Sequence, residues 1–126
     1  MKSIVTGGAG FIGSHLVDKL LDMGHEVVVL DNFSTGRKEN LSHVDGKIKL
    51  IECNLSIKGS WIKEFNKVDW VFHLASLADI VPSIQNPEEY FRSNVDATFY
   101  VLEAARHANV KRFIYSASSS CYGIPD

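Results

Sequence analysis

Glycines stand at positions 7, 8, 10 and 13, and the last three are spaced Gly-x-Gly-x-x-Gly. A pyrophosphate binds where backbone N–H groups are free and a helix dipole is positive, at a helix N-terminus. Side chains there would block its approach. Gly7 suits the tight turn, Gly10 the approach of the phosphates, and Gly13 close packing of helix on strand. Any glycine-rich turn can produce this spacing. Here it follows an apolar strand, opens a helical pattern, and precedes an acid about 20 positions on, the context a dinucleotide requires. That acid is Asp31, at the end of a second strand. A carboxylate there can accept both ribose hydroxyls and would repel a 2′-phosphate, which favours NAD over NADP. Arg37, nearby, could partner such a phosphate, but reads better as a solvated loop cation.

Two further polar positions stand out. Asn94 lies three residues after Phe91, on the apolar stripe of a long helical segment. A buried amide without partners costs about 1–3 kcal/mol, so Asn94 must bond a neighbouring loop backbone or a ligand. Ser118 lies just past the fifth strand, at the carboxyl edge where ligands bind in parallel sheets. Ser116, Ser119 and Ser120 are its neighbours and compete for that assignment. The histidines read as structural: His15 on a helix flank, His73 in the core at a strand end, His107 near a helix C-terminus. No His/Cys set has metal spacing, and Trp61 and Trp70 read as packing residues.

Strand-length apolar runs alternate with helical patterns along the chain. Ser3-Ile4-Val5 reads as the first strand. Residues 11–23 read as a helix carrying Ile12, Leu16 and Leu20, with Gly24 ending it. Glu26 to Leu30 is a second strand, almost wholly apolar and so expected to be buried on both faces. Residues 31–46 read as a loop with a short helix. Lys47 to Ile51 is a third strand, Ile57 to Phe65 a weaker helix, and Asp69 to Leu74 a fourth strand. Ala75 to Asn86 reads as irregular. Pro87 suits the first turn of a helix running to about His107. The expected stripe of that helix is Phe91, Val95, Thr98 and Leu102. Lys111 to Ser116 is a fifth strand. The pattern predicts an α/β, Rossmann-type doubly wound parallel sheet, strand order 3-2-1-4-5, with helices on both faces.

Bulk properties fit a globular domain over 1–126: 45% of residues are apolar and 22% charged, with a formal net charge of -2. No basic surface for nucleic acid or anionic membrane is expected, and Lys111-Arg112 reads as a solvated turn. No apolar run reaches membrane length, and Ile4-Val5 is too short for a signal-peptide core. Cys53 and Cys121 read as reduced thiols of a cytoplasmic protein.

The run Thr6-Gly7-Gly8-Ala9-Gly10-Phe11-Ile12-Gly13-Ser14-His15-Leu16, then Leu30-Asp31-Asn32-Phe33-Ser34-Thr35-Gly36, resembles the extended short-chain dehydrogenases. The likeness is strongest to NAD-dependent sugar-nucleotide epimerases and dehydratases of the UDP-glucose 4-epimerase kind. It continues through Val71-Phe72-His73-Leu74-Ala75, Asn94-Val95-Asp96-Ala97-Thr98 and Ser116 to Gly123. The resemblance implies that Phe11 and Ile12 line the pyrophosphate turn. Asp31, Asn32, Phe33, Ser34, Thr35 and Gly36 would wrap the adenosine ribose. Asn54 and Leu55 would flank the adenine, with Asn54 standing where the family usually has Asp. Leu74, Ala75, Ser76 and Leu77 would form the loop under the cofactor. Asn94 would lie beside these loops, and Ser116 is counted with the cofactor set. Registering on Tyr122-Gly123 makes Ser118 the serine that bonds the oxidised sugar hydroxyl. A UDP-sugar substrate and a homodimer through the 87–107 helix are implied too.

The family's base is a Tyr with a Lys four residues later, which lowers the phenol pKa. Four residues after Tyr90, Tyr100, Tyr115 and Tyr122 stand Asn94, Ala104, Ser119 and Asp126. The chain is therefore expected to be the N-terminal portion of a longer enzyme, ending before the last strands and the substrate-binding region, and inactive alone. Two rivals remain: an NAD(P)-dependent reductase of the same superfamily, and a non-catalytic dinucleotide-binding regulatory protein.

Overall fold

The structure, a computed structural model, describes all 126 residues. Five parallel strands, β1 (Lys2–Thr6), β2 (Glu26–Asp31), β3 (Lys49–Glu52), β4 (Trp70–His73) and β5 (Arg112–Tyr115), form one sheet in the order β3-β2-β1-β4-β5. This is the expected Rossmann-type sheet. Val27, Val28, Val29 and Leu30 are all buried. Alternate residues of the strands feed two cores, one on each face. Val5, Val27 and Val29 pack with Val17 and Leu20 of α1 (Phe11–Asp22). Ile4, Val28, Leu30 and Val71 pack on the other face with Trp61, Phe65 and residues 97–105.

Gly24 ends α1 as expected. Its φ is 81°, the His25 amide donates to Leu20 O at 3.0 Å, and its own amide donates to Leu21 O at 2.9 Å. This is a Schellman cap. The buried face of α1 is Gly13, Ser14, Val17 and Leu20, and Ile12 is exposed. The helix meets the strand end at Gly13, so the residue one position earlier, turned about 100° away, cannot face the sheet.

The 87–107 segment also departs from expectation. It is α3 (Pro87–Phe91), a π turn (Arg92–Asp96) and α4 (Ala97–His107) in succession; α2 (Ile80–Gln85) precedes it, where no helix is predicted. Phe91, Val95 and Leu102 are exposed, and the face against the sheet is Ala97, Val101, Ala104 and Ala105. The π turn adds a residue and shifts the helical phase. The alanines then let the helix approach the sheet, and the bulkier stripe is left outside. The predicted third strand and weak helix shrink to β3 and a 3-10 segment, Ser60–Phe65. No helix is long and apolar enough to cross a membrane.

Candidate cofactor cleft

The carboxyl ends of β1, β2, β3 and β4 open into a cleft of about 650 Å3, part of it open to solvent. It is lined by Gly7 and Gly10, by Asp31, Asn32, Ser34, Thr35 and Gly36, by Asn54 and Leu55, and by Leu74, Ala75, Ser76 and Leu77. Four separate stretches of the chain, each picked out by its sequence, thus meet in one cavity. Cys53, Ser56, Ser93 and Ala97 complete the lining and are not singled out by the sequence. Phe11, Ile12 and Gly13 form the first turn of α1 at its edge. That turn has no side-chain cap and no acidic residue, so its first amides are left for an anion.

Three glycines are required by the protein itself. A Cβ on Gly7 would lie 2.8 Å from Ala75 N, one on Gly8 2.7 Å from a Val29 methyl, and one on Gly13 2.2 Å from Gly7 O. Gly10 differs: the nearest atom to a Cβ there is Gly7 O at 3.3 Å. The missing side chain at Gly10 keeps open the space in front of the helix N-terminus.

Asp31 is buried, and its carboxylate joins two loops. One oxygen accepts from the Ala9 amide at 2.9 Å and the other from the Phe33 amide at 2.8 Å. A carboxylate offers about four acceptor sites, so each oxygen keeps one for a ligand hydroxyl. Ala9 O in turn accepts from the Arg37 amide and from Asn40 Nδ2. Gly36 packs against Ala9 so closely that a Cβ would meet the Ala9 methyl at 2.9 Å. Asn32 Oδ1 accepts from the Ser34 amide at 3.0 Å, an Asx turn. Phe33, at φ 56°, turns its ring into the core below instead of lining the cleft. The Arg37 side chain is exposed.

Asn54 Oδ1 accepts from both the amide and the hydroxyl of Ser56, at 2.9 and 2.6 Å. Because the Ser56 amide can only donate, this fixes the flip of the Asn54 side chain and leaves Nδ2 as its free group. Cys53 is half-buried in the lining. Burial, with the Asp31 charge adding to it, pushes its thiol up to about 11, so it stays protonated at neutral pH.

Asn94 lies behind the cleft and bonds a loop backbone. Its Oδ1 accepts from Leu77 N at 2.8 Å and its Nδ2 donates to Leu77 O at 2.9 Å. Asn94→Asp keeps the acceptor and loses the donor, setting a carboxylate oxygen against Leu77 O. We expect about 2 kcal/mol of destabilisation, read by urea unfolding near neutral pH. Thr6, buried at the end of β1, holds the other end of this loop: its Oγ1 accepts from Leu74 N at 3.2 Å and Ala75 N at 3.1 Å. The sequence signal for it is a hydroxyl ending a buried apolar strand. Ser116 and Ser118 lie beyond β5, exposed and outside the cleft. Ser116 N donates to His73 O, and Ser118 Oγ accepts from Ser120 N at 3.1 Å.

The NAD dependent epimerase/dehydratase family matches residues 3–126 of this sequence. The chain belongs to this family. It is 41% identical over 125 residues to UDP-glucuronic acid decarboxylase 1 of Arabidopsis thaliana, covering 99% of this chain and 28% of that protein. It is 39% identical to the UDP-glucose 4-epimerase of Haemophilus influenzae, over 99% of this chain and 39% of that enzyme. The crystal structure of UDP-glucose 4-epimerase from Bifidobacterium longum, in complex with NAD+ and UDP, superposes with a TM-score of 0.89 at 30% identity, covering 100% of this chain and 39% of that one. The chain thus spans well under half the length of these family members.

Proposed function

We propose that the cleft binds NAD and that residues 1–126 are the NAD-binding portion of a nucleotide-sugar enzyme of the 4-epimerase kind. Gly10 carries this reading. It is the glycine of the turn that packing constrains least, and it keeps clear the approach to an uncapped helix N-terminus. The cleft suits each part of the dinucleotide. The first-turn amides of α1 suit the pyrophosphate, the Asp31 carboxylate a ribose diol, Asn54 and Leu55 a flat base, and Leu74–Leu77 the nicotinamide half. When bound, NAD supplies the hydride acceptor. Ser118 is the candidate to hold the sugar hydroxyl, and a UDP-sugar is the substrate this reading favours. The exposed Phe91, Val95 and Leu102 stripe is where a homodimer contact would fall.

No tyrosine in these 126 residues has a lysine four positions on, so they hold no tyrosinate base of their own. Turnover of UDP-glucose or UDP-galactose by this chain alone with NAD would overturn that part of the reading. The cofactor assignment is tested by Asp31→Asn. Removing the charge removes both the strong ribose acceptor and the repulsion of a 2′-phosphate. The preference for NAD over NADP should fall by about tenfold, measured by calorimetry with both cofactors. Loss of loop order would weaken both equally and leave the ratio unchanged, which would count against Asp31 as the ribose reader.

A further inference from the structure

We propose that His73 is a positioning residue: a neutral imidazole, protonated on Nε2, that ties Thr6 to Thr98 and thereby holds the Leu74–Leu77 wall of the cleft. His73 is 1% exposed, at the carboxyl end of β4. Its Nδ1 lies 2.7 Å from Thr6 Oγ1, and its Nε2 2.9 Å from Thr98 Oγ1. The tautomer follows from proton counting at both ends. Thr6 Oγ1 already accepts from the Ala75 amide and from the Leu74 amide, which it shares with Thr6 O at 3.2 Å, so its one hydrogen points to His73 Nδ1. Thr98 Oγ1 gives its hydrogen to Asn94 O at 2.7 Å, so it must accept from His73 Nε2. The Thr98 end demands an imidazole with N–H at Nε2 and bare at Nδ1, and the contacts at Thr6 agree with it.

The consequence is a chain of hydrogen bonds with one direction. The Leu74 and Ala75 amides donate to Thr6, Thr6 to His73, His73 to Thr98, and Thr98 to Asn94 O. The Asn94 side chain then grips Leu77 through both of its polar groups. Both ends of the 74–77 loop are therefore linked through one ring, to Thr6 of β1 on one side and Thr98 of α4 on the other. The π turn supplies the reach, because Asn94 sits inside it and Thr98 just past it. Burial also disfavours the charged ring, whose pKa is lowered to about 4.

The effect on cofactor binding rests on the reading of the cleft as an NAD site, whereas the relay does not. The test uses the 126-residue chain and three readouts. Long-range 1H–15N correlation should show His73 bare at Nδ1 and protonated at Nε2 near neutral pH. Thr98→Val keeps the β-branched shape and removes the hydroxyl. It should speed exchange of the Leu77 amide by about tenfold while the Ile4 and Val28 amides keep their rates, and Thr98→Ser should restore protection. NAD affinity should fall in Thr98→Val and recover in Thr98→Ser. The opposite tautomer, a charged ring at neutral pH, or unchanged Leu77 exchange would overturn the relay. Faster exchange with unchanged NAD affinity would overturn the positioning role. Absence of NAD binding in the unsubstituted chain would overturn the reading of the cleft, and the first two readouts would still decide the relay.

Discussion

Gly13→Ala should destabilise the chain by at least about 3 kcal/mol, whereas Gly10→Ala should leave it folded and unable to hold NAD tightly. Helix propensity alone argues the other way for Gly13, since Ala is favoured over Gly in a helix by about 1 kcal/mol. Packing reverses the sign. The new methyl carbon would lie 2.2 Å from Gly7 O and 2.7 Å from Gly8 Cα, both backbone atoms of the turn. Relief would require lifting α1 from the sheet, and Val17 and Leu20 are buried beneath it. For a domain whose total stability is about 5–15 kcal/mol, that is a large fraction. At Gly10 the backbone is extended, φ -75° and ψ 177°, which any residue adopts, and the nearest atom is 3.3 Å away. Gly7 O need give way by only a few tenths of an ångström, so the alanine variant should lose about 1 kcal/mol at most. The same methyl would occupy the phosphate approach and weaken NAD binding by about ten- to hundredfold. Thermal unfolding and NAD calorimetry on both variants check the pair. A stable Gly13→Ala, or a Gly10→Ala that binds NAD normally, would refute the division of roles between them.

The features legible in the sequence share a physical cause: each depends on residues close together in the chain. The Val27–Leu30 run announces a strand buried on both faces, and alternation of strands with helices leads to the order 3-2-1-4-5. The Gly24 cap and Pro87 at a helix start are equally local. Asp31 is found because a single spacing from the glycine turn marks it. What escapes depends on phase or on distant partners. The extra residue of the π turn falls between Phe91 and Leu102 and breaks the single stripe expected of them, and no count by 3.6 reveals it. Alanines mark the true contact face, but a search for large apolar side chains passes over them. Phe33 lies within the segment expected to wrap a ribose and yet packs inward, at a positive φ. Asn94 is recognisable as an amide needing partners. That its partner is Leu77, 17 residues away, requires the fold. Thr6 and Thr98 look like ordinary strand and helix residues until His73 is placed between them.

His73 should also make the chain acid-sensitive well above the carboxylate range. Its pKa is lowered from 6.5 to about 4 by burial, and the unfolded chain takes up the proton near the ordinary value. The folded state therefore binds fewer protons than the unfolded one between those two values. Stability must fall as pH drops through that window and is fully present above it. Each tenfold weakening of proton binding on folding is worth about 1.4 kcal/mol, so His73 alone should remove about 2 kcal/mol between pH 7 and pH 5. Its ring is packed against two hydroxyls and the rings of Phe113 and Tyr115, at 6.0 and 5.8 Å between centroids. Asp69 and Glu103 also have lowered pKa values, from hydrogen bonds to Lys111 and Arg106. Being carboxylates, they lose their contribution only as pH falls below the ordinary value of 3.8 for Asp69 and 4.5 for Glu103. The interval from pH 7 to pH 5 therefore isolates the imidazole from them. Urea unfolding of the parent and of His73→Gln across that interval gives the comparison. The variant starts lower, having lost the ring between the two threonines, but it has no proton to gain there. The gap between the two proteins should narrow by about 2 kcal/mol at pH 5. A gap that stays constant would mean that His73 titrates normally in the fold, which two hydroxyls committed to a neutral ring do not allow.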